Sequence, residues 1–352
     1  MIFFLSFFFG CIFLIILYYD KYFRQLSNSI VFFGICLLFI FFVGFRYDMG
    51  TDYWSYYRVF HGVHEAHVAS DFGFQFLIRI YRIFSNSFNG FIFLLAFISI
   101  YTKYLFFKKL ENPFFALFIY IAIFSLGMGF NIMRQGMAAA VVFHAVYWAE
   151  KRNIIASFLL ICIASVIHVS SLIFLPLYFI ISRNIKIKTS NVFIIILVAF
   201  MIRFYLMEVI LSIFEPFLER ISGVQGIGRI AMYLRIREIY AIDMGAIRRI
   251  VMCILFIILN NKKYINNVYF NLYLLGTVIF ILFMGYGILA YRLSLVFDVF
   301  LIPLFANIKI AYNYRNIAAI IVFVAISFVL YWITINSETA NLLPYRTFLS
   351  YV

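Results

Sequence analysis

Apolar runs of membrane-spanning length recur along almost the whole chain, near 2–19, 29–45, 89–107, 113–128, 131–149, 154–182, 191–211, 246–260, 268–287, 291–308 and 317–334. A helix crosses the ~30 Å hydrocarbon core with roughly 20 apolar residues. Composition agrees: 66% of the 352 residues are hydrophobic and 12% charged, too little polar surface for a water-soluble domain. The expected fold is all-α, a single polytopic integral membrane domain over 1–352 with about ten to twelve transmembrane helices. Glycine and proline are spread thinly, so no linker or separable soluble domain is expected. The stretch Met1–Tyr19 lacks a basic leader and a small-residue cleavage site, and reads as a retained first span. Cys11, Cys36, Cys162 and Cys253 fall inside apolar runs without paired or metal-ligand spacing, and read as packing residues.

The run 154–182 is too long for one crossing and has His168-Val169-Ser170-Ser171 at its middle. It is read as a hairpin of two short helices, with the serines capping the second, which brings the crossings to twelve. Charge tests this. All ten lysines lie in six loops, 20–28, 103–112, 150–153, 183–190, 260–267 and 309–316. Those loops share the lysine-rich inner side only if 154–182 crosses twice. Both termini and the loops at about 46–88 and 213–246 then face outward. The outer side has no lysine, yet thirteen of the eighteen arginines map there. Insertion bias explains the missing lysine but not the arginine excess. Arginine's planar fork binds phosphate or carboxylate bidentately, so an anionic outer ligand is expected, with scattered ion pairing as the alternative.

The segment VGFRYDMGTDYWSYY, Val43–Tyr57, follows the second span at that face. Gly50-Thr51-Asp52 reads as a turn with a helix cap. Tyr53, Trp54, Tyr56 and Tyr57 fit an interfacial aromatic belt. Beside Arg46, Asp48 and Asp52 they equally fit a sugar site, where rings stack and carboxylates accept hydroxyls. In 71–84, Phe72, Phe76, Ile80 and Phe84 recur every four residues with Arg79 and Arg82 opposite. That pattern predicts an amphipathic helix in the outer, periplasmic interface, serving as an anchor or a lateral gate for a lipid-borne substrate.

GFNIMRQGMAAA, Gly129–Ala140, opens a span with Asn131 as N-cap and Arg134 and Gln135 in the first turn. An arginine there opposes the helix dipole, so it serves an anion rather than the helix. The small run Gly136–Ala140 permits close helix approach. His168 is either a satisfied structural group or a general base. In the charged outer loop 215–249, Arg235, Arg237, Glu238 and Asp243 read as solvated or as ligand contacts. Arg292 begins a span on the same side as Arg134. Arg203 with Glu208, and Asp298, read as internal ion pairing. There is no P-loop and no cluster with metal-ligand spacing.

Four stretches in this order resemble the EpsG branch of the Wzy-type polysaccharide polymerases: GFRYDMGTDYWSYYRVF, NIMRQGMAAAVVFHAVYW, IHVSSLIFLPLYFI, and YRLSLVFDVFLIPLF with the terminal LPYR. The resemblance covers about 30–346. It implies a bacterial inner-membrane glycosyltransferase whose active site lies on the periplasmic side. Repeat units linked to undecaprenyl diphosphate would be joined there into O-antigen, capsule or exopolysaccharide. With that chemistry, Arg46, Arg134, Arg292 and Gln135 are expected on the diphosphate. His168 is the expected base with Asp52 as runner-up. Tyr53, Tyr56, Tyr57, Arg235 and Arg237 are expected along the glycan. The expected partners are the lipid-linked oligosaccharide, the lipid membrane and a chain-length regulator, with no nucleic acid, metal or other cofactor. An O-antigen ligase is the nearest alternative. A flippase predicts polar residues through the bundle and an internal repeat, and a non-catalytic assembly protein would not need His168.

Overall fold

The computed structural model describes residues 10, 28–63, 72–220, 232–234, 243–259, 266–307 and 314–350. The expected first span at 2–19, and Arg235, Arg237 and Glu238, lie outside the described residues. Among the described residues no strand forms, and one antiparallel bridge joins Arg46 to Thr347. Among the described residues, four helices are long and apolar enough to cross a bilayer: Phe88–Phe107, Pro113–Asn131, Thr189–Phe217 and Gly287–Ala306. Shorter apolar helices accompany them, including Ile30–Gly44, Ile154–Ile167, Val169–Ser182 and Asn267–Leu282. The protein is an all-α, multi-pass membrane bundle.

The chain divides into two compact units, Met1–Ser182 with Phe305–Val352, and Arg183–Leu304. In the first, α1 (Asn28–Gly44) packs on α4 (Phe88–Phe107), which packs on α6 (Met133–Glu150). Inside a bilayer such contacts rest on shape more than on water exclusion. Gly44 lies against Phe93 and Gly136 against the Met128 carbonyl, where a Cβ would come within 2.6 and 2.5 Å. Ser87 caps α4 by accepting from the Gly90 N–H at 3.2 Å. Pro113 starts α5 (Pro113–Ile119), which widens into π-helical turns over Tyr120–Asn131. Wide turns of this kind concentrate at functional sites.

Between α4 and the end of α1 lie two helices that do not span. They are α2 (Tyr53–Phe60) and α3 (Phe72–Phe84). Buried Phe74 and Ile78 of α3 join Tyr53, Tyr56, Phe60, Phe88, Phe91 and Met133 in one core cluster. The other side of α3 exposes Phe72, Phe76, Ile80, Ile83 and Phe84. The helix is two-sided, but Arg79 and Arg82 are exposed together with these apolar residues rather than opposite them as expected, and the opposite face is buried against the core cluster.

Helix α7 (Ile154–Ile167) lies along α6 and stops at His168, whose backbone is extended at φ −153°, ψ 117°. A 3-10 turn (Val169–Ile173) leads into α8 (Phe174–Ser182), which packs on both α6 and α7. This break is where the hairpin was expected. The 14 residues of α7 reach only about 21 Å, short of a full crossing. The serines do not cap α8. Both lie within the 3-10 turn, and the buried Ser170 hydroxyl has no partner.

In the second unit, α9 (Thr189–Met201) continues through a π turn into α10 (Met207–Arg220). Helix thus occupies the first residues of the loop expected at 213–246. It exposes Phe193, Ile194, Leu197, Phe204 and Tyr205, as a lipid-facing helix must. Further helices of this unit are α11 (Met244–Leu259), α12 (Asn267–Leu282) and α13 (Gly287–Asp298). Arg249, expected in an outer loop, lies inside α11 at 1% exposure. Its Nε donates to Asp298 Oδ1 at 3.0 Å, a second donor reaches Oδ2, and NH2 also meets the Ser294 hydroxyl at 2.9 Å. Arg203 pairs with Glu208 at 3.4 Å, as the sequence predicts, and donates to the Met284 carbonyl. Lys103 departs from its expected loop. It lies within α4 at 1% exposure, donating to Ser99 Oγ at 2.6 Å and the Gly136 carbonyl at 2.9 Å, over the Tyr120 ring.

Candidate functional site

The polar turn after α1 is built from three directions. Asp48 adopts a left-handed backbone (φ +49°), which its short polar side chain tolerates. Gly50 follows at φ +89°, with Phe130 O only 2.3 Å from where a Cβ would stand. No other residue fits both the angle and the space. Across the gap, Asn131 Oδ1 accepts from the Thr51 N–H at 2.8 Å. Asn131 is therefore not the N-cap of α6. Ile132 occupies that position without a side-chain bond, and the asparagine is spent on the turn. Asp52 does stand at the N-cap of α2, but no side-chain cap bond forms.

The third direction is the C-terminal segment. Gly50 N donates to Asn341 O, Tyr47 N to Arg346 O, and Phe348 N to Phe45 O, at 3.0, 3.0 and 3.1 Å. Tyr345 stacks on Phe42 at 5.0 Å and its hydroxyl donates to the Phe42 carbonyl at 2.7 Å. Arg346 reaches Asp48 Oδ2 at 2.6 Å, and Asp48 Oδ1 accepts from Trp54 Nε1 at 2.6 Å. Asp48 and Arg346 are thus site members that no local pattern assigns. The only sequence signals were the Arg46/Asp48/Asp52 cluster and the terminal LPYR.

Arg46 has no exposed surface. Its NH1 donates to Gly129 O at 2.7 Å and Val43 O at 3.2 Å, its NH2 to Met133 Sδ at 2.7 Å, and the group lies 5.1 Å from the Phe130 ring centre. Those donors are committed to protein. This differs from the expectation that Arg46 holds a diphosphate directly. Burial lowers its guanidinium to about 10, opposed by the nearby phenols of Tyr56, Tyr53, Tyr345 and Tyr120, so it stays charged at neutral pH.

The tyrosines divide by face. Tyr53 is buried with its hydroxyl on Asn89 Oδ1 at 3.1 Å, and Tyr56 is buried with its hydroxyl on the Asn131 carbonyl at 3.2 Å. Neither offers a ring to a glycan, contrary to expectation, while Tyr57 is exposed. Burial pushes the Tyr53 phenol up to about 12, against a backbone hydrogen bond at Asp48 and the charge of Arg46. Burial also raises Tyr56, with Arg134 lowering it and Asp52 raising it. Arg134, half-buried in the first turn of α6, stands 5.7 Å from the Tyr56 ring centre and 5.4 Å from that of Phe74. Asp52, Tyr56 and Arg134 therefore interact, while Gln135 beside them is buried.

His168 is half-buried, and its carbonyl accepts from Ser171 N at 3.1 Å. Its neighbour Ile167 packs on the same core cluster as Tyr56, Phe74 and Met133, and Val166 O closely approaches Gly73 of α3. The break is thereby tied to the cluster beneath Arg134. Arg292, in the second unit, stands over Tyr233 at 5.5 Å. What unit one assembles is a half-buried arginine on a helix N-terminus, a rigid glycine turn beside it, and an exposed aromatic face. Such a set binds an anion next to a ring-shaped polar ligand.

No curated protein and no solved structure matches the chain. The family model described as the EpsG family matches residues 29–347, nearly the whole chain, and takes in both the glycine turn and the His168 break. EpsG-type proteins are Wzy-like polymerases of lipid-linked repeat units. With that match over a multi-pass helical bundle, the chain belongs to the EpsG family.

Proposed function

We propose that the protein joins oligosaccharide units carried on undecaprenyl diphosphate, at the periplasmic face of a bacterial inner membrane. The observation that carries this reading is Arg134. It is a half-buried cation in the first turn of α6, ringed by Tyr56 and Phe74. First-turn N–H groups have no intrahelical acceptor, so the helix end and the guanidinium together attract a diphosphate. Arg46 acts from below: with donors on the Gly129 and Val43 carbonyls and on Met133 Sδ at the start of α6, it adds a fixed positive charge and ties that helix end to the turn. Gln135 lies buried in that same first turn.

In the reaction the acceptor sugar's hydroxyl oxygen attacks the anomeric carbon of the growing chain. The new C–O bond forms as the bond to the carrier's diphosphate breaks, and the electron pair leaves with the diphosphate. Arg134 stabilises that departing charge. The acceptor proton passes to His168, with Asp52 as the second candidate. Tyr57 lines the glycan path, and a chain-length regulator is the expected protein partner.

The test is polysaccharide ladder length in a strain lacking this gene and carrying wild type, Arg134→Lys or His168→Ala at equal expression. The expected result is a full ladder from wild type and single capped units from either variant. Normal ladders from both variants overturn the site. Failure of wild type to restore any ladder in its own host favours the ligase or flippase reading.

A further inference from the structure

Helix α2 separates its rings onto two faces. Tyr53, Tyr56 and Phe60 are buried, whereas Trp54, Tyr57 and His61, spaced i, i+3 and i+7, form an exposed stripe. Ring centres lie 5.4 Å apart for Trp54–Tyr57 and 4.3 Å for Tyr57–His61. A tryptophan that anchors a protein at a bilayer surface keeps its indole N–H for headgroups and water. Trp54 does not: its N–H is taken by Asp48 Oδ1, whose other oxygen is held by Arg346. The indole is left as a flat face with no donor for the interface, locked in place by a carboxylate. The Tyr57 hydroxyl has no partner among the described residues. Asp48 and Arg346 keep side-chain exposures of 25% and 35%, which leaves lone pairs and N–H groups for other polar atoms.

A face that stacks but does not donate, edged by hydroxyl, carboxylate and guanidinium, matches a pyranose, whose C–H face is apolar and whose rim is hydroxyls. We propose that the Trp54 indole is the stacking face for one sugar ring of the lipid-linked substrate, with Tyr57, inclined to it by 69°, and His61 forming a side wall. Asp48 and Arg346 are positioning residues that hold the indole. This rests on the polymerase reading above and extends it to side chains outside the diphosphate and proton-transfer roles. The C-terminal segment thereby becomes part of the glycan site.

The test uses the full chain in lipid nanodiscs with Trp148→Phe and Trp332→Phe, which leaves Trp54 as the one tryptophan of three. Its fluorescence is titrated with oligosaccharide released by mild acid from the host's own polysaccharide, and separately with undecaprenyl phosphate lacking sugar. A saturable change with oligosaccharide and none with the bare carrier is expected. Tyr57→Ala should weaken binding about tenfold, the loss of one aromatic wall. Arg346→Met should raise Trp54 mobility, read as lowered anisotropy, and weaken oligosaccharide binding, while Arg346→Lys restores both. An equal response to the bare carrier, or no saturable response to sugar, overturns the subsite and returns the stripe to membrane anchoring. The ladder assay on the same tryptophan variant separates the two readings. A ladder with a silent Trp54 removes the subsite alone, and sugar binding without a ladder removes the polymerase alone.

Discussion

Among the described residues, Arg46 and Arg249 are the two arginines almost wholly removed from solvent, at 0% and 1% exposure, one in each unit. Arg249 is neutralised. Asp298 takes two of its donors, Ser294 and the Gly245 carbonyl take others, and the Phe280 ring lies 3.8 Å away. Among the described residues Arg46 meets no carboxylate, only two carbonyls, a methionine sulfur and an aromatic face, and its Nε has no partner there. The first is a closed ion pair that ties α11 to α13. The second leaves net positive charge beneath the glycine turn, next to the first turn of α6. Burying a charge without a counter-ion is costly, and a protein that retains one there gains a field for an anion. The two buried arginines thus differ in a way that composition alone does not distinguish: one is paired with an acid and the other is held by neutral groups.

The largest effect should come from breaking the closed pair. Arg249→Met strands the Asp298 carboxylate and should cost ~3–5 kcal/mol, seen as a fall in thermal stability of the detergent-solubilised protein. Adding Asp298→Leu should restore most of it, and a stable Arg249→Met would show that the pair is dispensable. Arg46→Met strands no acid, so the loss should be smaller, ~1–3 kcal/mol from the orphaned carbonyls. Its ladder should nonetheless shorten far more than stability explains. If Arg46→Met unfolds the protein as severely as Arg249→Met, the contrast between the two sites fails. Lys103→Met is the smallest. Lys103 is also buried without an acid, but its carbonyl partner Gly136 O sits within helix α6. Stability should move by no more than about 1 kcal/mol and the ladder should stay normal. A lost ladder at unchanged stability would instead place Lys103 among the working cations.

Much of this architecture was readable from local pattern. The apolar runs, the interfacial helix with its exposed Phe72/Phe76/Ile80 stripe, the interruption at His168 and the Arg203–Glu208 pair all follow from spacing within a few helical turns. Asn131 shows where such reading stops. Preceding a helix, it has the sequence of an N-cap, yet Oδ1 is drawn to the Thr51 N–H, 80 positions away. Lys103 looked like a loop residue because charge and helix ends go together in membrane proteins. It tolerates the interior because Ser99, Gly136 O and Tyr120 surround its ammonium. The two tyrosines expected on the glycan failed for a related reason. Tyr53 and Tyr56 share a helix with exposed Tyr57, and only the packing of α3 and α4 onto α2 decides which rings are covered.

By itself, the sequence determined that this chain lives in a bilayer as helices, where the polar turn would emerge, and which residue types would gather there. Hydrophobic length and periodicity settle these matters, because every backbone group in the hydrocarbon core must find its partner within its own helix. Only the tertiary structure decided that Arg46 is spent on carbonyls, that Arg249 is spent on an acid, and that Arg346 holds Asp48 from 298 positions away. Those outcomes depend on hydrogen bonds between segments distant in sequence, and no period along the chain encodes them.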